Sequence, residues 1–213
     1  MRRTKAEAEE TRSSILHAAE RVFFKKGVSN TSLDDVAKAA GVTRGAIYWH
    51  FANKTDLFLE LYNTVSLPLE DMVVRDTERP ASDVLGVIET SAGSWLDELA
   101  ADEHRQRIFT ILLRCPYGED LMPVLEKQRE VDDRHTVMLD NAFARAKSEG
   151  FLSGNWTPQS ATKALRWMME GLCSEWLLFG RRFDLAVEGK EGLKRLFDSF
   201  RPVHAGADMA AVH

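Results

Sequence analysis

Residues 42–51, "VTRGAIYWHF", decide how this chain is read. They bring Arg44, Tyr48, Trp49 and His50 together within two helical turns, with Gly45 and Ala46 between them. A hydrophobic core has little use for that mixture, because cations and polar ring tips lose hydration on burial. A surface that enters a groove and touches phosphates and bases uses all of it.

The flanks carry helix signals. Upstream, "TSLDDVAKAAG" starts a helix at Ser32, with Asp35 three residues on, and ends it at Gly41. After a turn of about two or three residues, "TRGAIYWHF" makes a helix of only about two turns. Asn53 then caps a fourth helix over "NKTDLFLELYNTV", whose stripe is Leu57, Phe58, Leu61, Tyr62 and Val65; Pro68 is expected to bend or end it. The first helix opens with Thr4 and Glu7 as a capping box and carries Ile15, Leu16, Ala19, Val22 and Phe23. It stops at Gly27, after Lys25 and Lys26. Two short helices joined by a tight turn, the second polar and aromatic on its outside, make a helix-turn-helix. A helix of about eight residues is ~12 Å long, comparable with the DNA major groove.

The rest of the chain is helical in period. "TERPASD" reads as a loop, followed by helices over 83–100 and 103–114, the latter closed by "CPYGED". Residues 119–149 read as one long helix ending at Gly150. Thr157 caps the next, with Pro158 at its first position, and it runs to about Phe179. A last helix covers 184–200, and 203–213 lacks periodicity, the mark of a disordered tail. Strand signals are absent. The expected fold is all-α with about nine helices: a head at 1–53 and a larger helical domain at 54–202.

The net charge of −5 is unevenly spread. Residues 1–55 hold 10 Lys and Arg against 6 Asp and Glu, giving +4; residues 56–213 hold 18 against 27, giving −9. A basic head on an acidic body points to a local polyanion contact. The two cysteines, Cys115 and Cys173, make neither a disulfide framework nor metal spacing. "MRRTKAEAEETR" has no apolar stretch after its charges, and no run reaches the ~20 apolar residues of a membrane helix. The expected setting is soluble, reducing and cytoplasmic, with no membrane partner and no cofactor. Catalysis is not expected: nucleophile elbow, phosphate loop and HExxH pair are absent, and "EHRQR" and "DDRH" read as solvated helix faces.

"GVTRGAIYWHFANKTDL", preceded by "TSLDDVAKAA" and by a helix ending "FFKKGV", resembles the DNA-binding head of the TetR/AcrR family of transcriptional regulators over about residues 10–60. Small side chains at Gly45 and Ala46 let the backbone approach DNA. Arg44 can reach a guanine edge or a phosphate. Thr43 at the helix start can hold a phosphate. The resemblance makes Tyr48 and His50 a phosphate-contacting pair and Lys54 the next cation along. Ser32 sits where the second helix meets the DNA backbone, and Arg2, Arg3 and Lys5 form a candidate arm. Ile47 and Phe51 are expected in the core against Val36 and the first helix. Trp49 admits two readings, DNA contact or a brace for the head.

By the same resemblance the larger domain binds a small molecule and dimerises through its last two helices, through Leu172, Trp176, Leu193, Leu196, Phe197 and Phe200. A two-fold dimer implies a palindromic double-stranded operator. "RRTKAEAEETR" and "RIFTILLRC" resemble most the branch that represses multidrug-efflux genes. That branch implies an apolar pocket lined by Ile88, Trp95, Phe109, Leu112, Leu113, His135, Leu139, Met169, Glu170 and Cys173, suited to a hydrophobic or aromatic effector. Each of those aliphatics, taken singly, is more commonly plain core than ligand contact. Glu170 is the expected polar handle, because it interrupts an apolar run. Operator release by ligand follows from linkage, with the fourth helix, 54–65 and beyond, as the tie between the head and the pocket wall. The competing reading is a ligand-independent DNA-binding regulator, or an activator, with a solid core.

Overall fold

The computed structural model describes residues 5–65 and 84–202. Thr4, Arg2, Arg3, Pro68, the "TERPASD" stretch and the 203–213 tail lie outside the described residues. Among those described there are nine α-helices and no strand. They are α1 (Lys5–Lys26), α2 (Leu33–Ala40), α3 (Arg44–His50), α4 (Lys54–Tyr62), α5 (Val84–Ala101), α6 (Glu103–Arg114), α7 (Met122–Ser148), α8 (Pro158–Leu178) and α9 (Leu185–Phe200). A short 3-10 turn, Glu119–Leu121, precedes α7. The long helix therefore starts three residues later than its periodicity implies.

Caps explain most boundaries. Ser32 and Asp35 form a reciprocal capping box on α2. Gly41 ends the helix in the left-handed region at φ +67°, its N–H directed at the carbonyls of Ala37 and Lys38. That conformation favours glycine, and it turns the chain sharply enough for Thr43 to cap α3 at once. Asn53 caps α4, Asp102 caps α6 and Asp184 caps α9. Thr157 caps α8, with Pro158 opening the helix.

The described residues divide into two compact units, 5–65 with 101–131, and 84–100 with 132–202. The first takes in α1–α4, α6 and the start of α7. Its core joins Ile15, Phe23, Val36, Ile47, Phe51, Leu57, Phe58 and Leu61 to Ile108, Ile111, Leu121 and Val124. Phe23 and Phe58 meet edge to face, with centroids 5.7 Å apart. Ile47 and Phe51 are thus in the core, as their spacing implies.

This unit also holds a polar cluster that corrects the reading of "EHRQR" as a solvated face. Glu20, on α1, is buried and ion-paired with Arg107 of α6, and its Oε2 lies 2.7 Å from Nδ1 of His104. The other ring nitrogen of His104 is 2.9 Å from the Thr64 hydroxyl, and Gln106 is buried. "DDRH" is different. Asp132, Asp133 and Arg134 are exposed, His135 is half-buried, and Asp132 is paired with Arg166 on α8.

The second unit packs α5, most of α7, α8 and α9. Phe143, Phe197, Phe200 and Trp156 form an aromatic cluster with centroid distances of 4.9–5.3 Å. Where α8 turns into α9, the Trp176 indole N–H donates to the Phe183 carbonyl at 3.1 Å and the Arg181 guanidinium covers the ring.

Candidate nucleic-acid interface

Helix α3 shows its two faces plainly. Ile47 is fully buried, and Phe51 follows it into the core. Thr43, Arg44 and Gly45 are exposed, as are Tyr48 (47%) and Trp49 (70%); Ala46 and His50 are half-buried. A β-carbon on Gly45 would meet only open space among the described residues. Nothing in the fold asks for glycine there, and glycine weakens a helix by about 1 kcal/mol relative to alanine. Close approach from outside is the remaining physical reason for it.

The side chains of this face are held in place. The Thr43 hydroxyl oxygen accepts from the Ala46 N–H at 3.2 Å, which leaves its own proton free to donate. Nε of Arg44 lies 3.3 Å from a carboxylate oxygen of Asp34, and its guanidinium stands 5.6 Å from the Tyr48 ring centroid. Bonding to Tyr48, and then attraction to Asp34, push the Arg44 pKa further up. The Trp49 and His50 rings meet edge to face at 4.5 Å. The half-buried His50 is thus the less available member of the expected phosphate pair.

Two expected DNA residues are engaged inside the protein. The Ser32 hydroxyl donates to Asp35 at 2.7 Å and accepts from the Asp35 N–H at 3.1 Å, so the helix cap uses it. The backbone N–H of Ser32, then its hydroxyl and Lys26, hold the Asp35 carboxyl far below the usual carboxylate range. Lys54 donates to the Val28 carbonyl at 3.0 Å and lies 3.8 Å from the Asp120 carboxylate. Beside it, the Thr55 hydroxyl donates to the Asp120 carbonyl at 2.6 Å. Lys54 thereby ties α4 to the Val28 carbonyl and to the 3-10 turn.

The residues expected to line an effector pocket fall on both units. Phe109 and Leu112, on α6, are half-buried, and Leu113 is exposed. In the other unit Ile88, Trp95, Leu139 and Cys173 are buried, while Met169 and His135 are half-buried. Burial pushes the Cys173 thiol up to about 12. Glu170 is exposed, which makes it a solvated residue and not a buried handle. Of the expected dimer residues, Trp176, Leu193, Phe197 and Phe200 are buried within the chain's own core. Leu172 and Leu196 are half-buried. The apolar side chains that α8, the turn after it and α9 leave exposed are Trp167, Phe179 and Val187.

Sequence reasoning passed over Glu20, Asp34 and Asp120. Glu20 had a legible signal, since it sits between Leu16 and Phe23 on an apolar stripe. Asp34 and Asp120 had none, because their partners come from other elements. No group of three or more His, Cys, Asp or Glu among the described residues could hold a metal ion. No helix among them is long and apolar enough to cross a membrane.

Residues 15–61 match the family described as bacterial regulatory proteins, tetR family, and residues 85–201 match the C-terminal region of the MAATS-type transcriptional repressors. The chain belongs to the TetR family and is a DNA-binding transcriptional regulator with a repressor-type C-terminal region. It is 36% identical over 202 residues to the HTH-type transcriptional repressor BepR of Brucella suis biovar 1, covering 94% of this chain and 97% of BepR. It is 37% identical over 206 residues to the HTH-type transcriptional regulator TtgR of Pseudomonas putida, covering 94% and 96%. The crystal structure of NalD, the secondary repressor of the MexAB-OprM multidrug efflux pump in Pseudomonas aeruginosa, superposes with a TM-score of 0.83. It is 37% identical and covers 92% of this chain and 98% of NalD.

Proposed function

We propose that this protein is a cytoplasmic, homodimeric repressor of multidrug-efflux genes that leaves a palindromic operator when a small hydrophobic or aromatic effector binds. Residues 1–53 act as the DNA-reading part and 54–202 as the effector-binding and dimerising part. The observation that carries the DNA reading is the split of α3. Ile47 and Phe51 anchor it, while Thr43, Arg44, Gly45, Tyr48 and Trp49 stand out from the surface. Efflux control rests on the likeness to NalD. The dimer reading rests on the resemblance of the last two helices, and α8, the turn after it and α9 leave Trp167, Phe179 and Val187 exposed for a second copy to cover.

The effector acts by linkage: a ligand that favours the conformation with poorly spaced heads weakens operator binding by the same factor that DNA weakens ligand binding. The experiment is fluorescence anisotropy at fixed salt, using an operator selected by the protein from random duplex DNA. The expected result is tight, sequence-dependent binding that at least one member of a panel of planar hydrophobic compounds releases. Tight binding that responds to none of them counts for the solid-core regulator. The absence of sequence preference defeats the DNA reading.

A further inference from the structure

We propose that Asp34 is a positioning residue for sequence recognition: it grips Arg44 by its Nε edge, aiming the end of the guanidinium at a base edge and keeping it from neighbouring phosphates. The inference deepens the DNA-binding reading and rests on it.

Asp34 lies in the first turn of α2, but the cap of that helix is already complete with Ser32 and Asp35. Its carboxylate instead faces Arg44, the first residue of α3, across the turn of the motif, with Oδ1 3.3 Å from Nε. That oxygen is shut off from water and accepts no hydrogen bond, so the contact with Arg44 is an ion pair, although the side chain as a whole is 43% exposed. Tyr48, one helical turn on, places its ring centroid 5.6 Å from the guanidinium carbon. A guanidinium has five N–H donors, one on Nε and four on the two Nη atoms. Asp34 lies beside the Nε edge as an ion-pair partner, and the Nη donors beyond the bond to Tyr48 remain for other partners, among them the O6 and N7 acceptors of guanine.

The charge of Asp34 supports the same role. A carboxylate on a DNA-facing surface repels phosphates, so for affinity alone it is a handicap. It makes sense where non-specific binding must be kept low and one arginine must read a base, because the ratio of specific to non-specific binding decides occupancy of an operator.

The test uses the full chain and sites that the wild-type protein selects from random duplex DNA. Affinity for the selected site and for a shuffled duplex is measured across a salt series. The variants are Asp34→Asn, Asp34→Glu, Arg44→Ala and the double variant Asp34→Asn/Arg44→Ala. Asp34→Asn is expected to bind shuffled DNA about three- to tenfold more tightly, with a salt slope steeper by about one contact, and to lose about three- to tenfold in specificity ratio. Asp34→Glu is expected to restore the ratio to within about twofold, since a glutamate still reaches Arg44. In the Arg44→Ala background, Asp34→Asn is expected to leave the ratio unchanged.

An unchanged ratio in Asp34→Asn overturns the proposal. So does an equal effect with and without Arg44, which would make Asp34 a bulk charge. So does a parallel loss on both DNAs with a lowered melting temperature, which would make it a prop for α2. A wild-type chain that selects no sequence defeats the underlying DNA reading instead, a result distinct from all three.

Discussion

Trp49 and Trp176 differ in exposure, 70% against 6%, though both lie in helices rich in apolar residues. Helix α3 runs Arg44–His50, and one buried side chain, Ile47, defines its inner face. Positions 48 and 49 turn away from Ile47 by one and two steps of the helix, about 100° and 200°, and stand exposed. Helix α8 is 21 residues long and carries apolar side chains on more than one face. Trp176 is enclosed because the chain turns back over it, through Phe183 and Arg181, whereas Trp167 on the same helix is 67% exposed. Residue type was the same in each case. What differed was how many inner faces the helix could choose.

The contrast has measurable consequences. Trp176→Ala is expected to destabilise the fold by about 3–5 kcal/mol in urea titration, through lost burial and the cavity left behind. A loss below about 1 kcal/mol would mean that the turn does not enclose it. Glu20→Ala comes next, at about 1.5–3 kcal/mol, because it removes charge-assisted hydrogen bonds to Arg107 and His104, both half-exposed and able to regain water. If urea titration finds it neutral, the α1–α6 cluster contributes nothing to stability. Trp49→Ala should alter stability by less than about 0.5 kcal/mol. It should also weaken operator binding about tenfold, ~1.4 kcal/mol. A fall in melting temperature with DNA binding intact would instead make Trp49 a brace for the head.

Much of the head was legible in the sequence. Ser32, Gly41 and Asn53 each bound a helix as read, while Thr43, read as the first residue of its helix, is the cap of α3. The exposed set on α3 follows from spacing around Ile47. The pairings were not legible: that Arg44 leans on Asp34, that Lys54 turns to Val28 and Asp120, and that His104 and Arg107 serve Glu20. A charged residue on a helix looks alike in sequence whether it faces water or a partner many residues away. The same limit explains Phe197 and Phe200, where resemblance implies a dimer face and the fold shows an internal aromatic cluster.

Length, charge asymmetry, caps and hydrophobic period were thus sufficient for the helical class, the helix-turn-helix and the outward residues of α3, because those depend on contacts within a few residues. Tertiary structure alone decided which face of α8 and α9 is core, which charges of the head are already spent on one another, and that Glu20 is buried among them. Such choices depend on which elements the chain returns to the same place, and burial of a charge or an aromatic ring is favourable only once its partner has arrived.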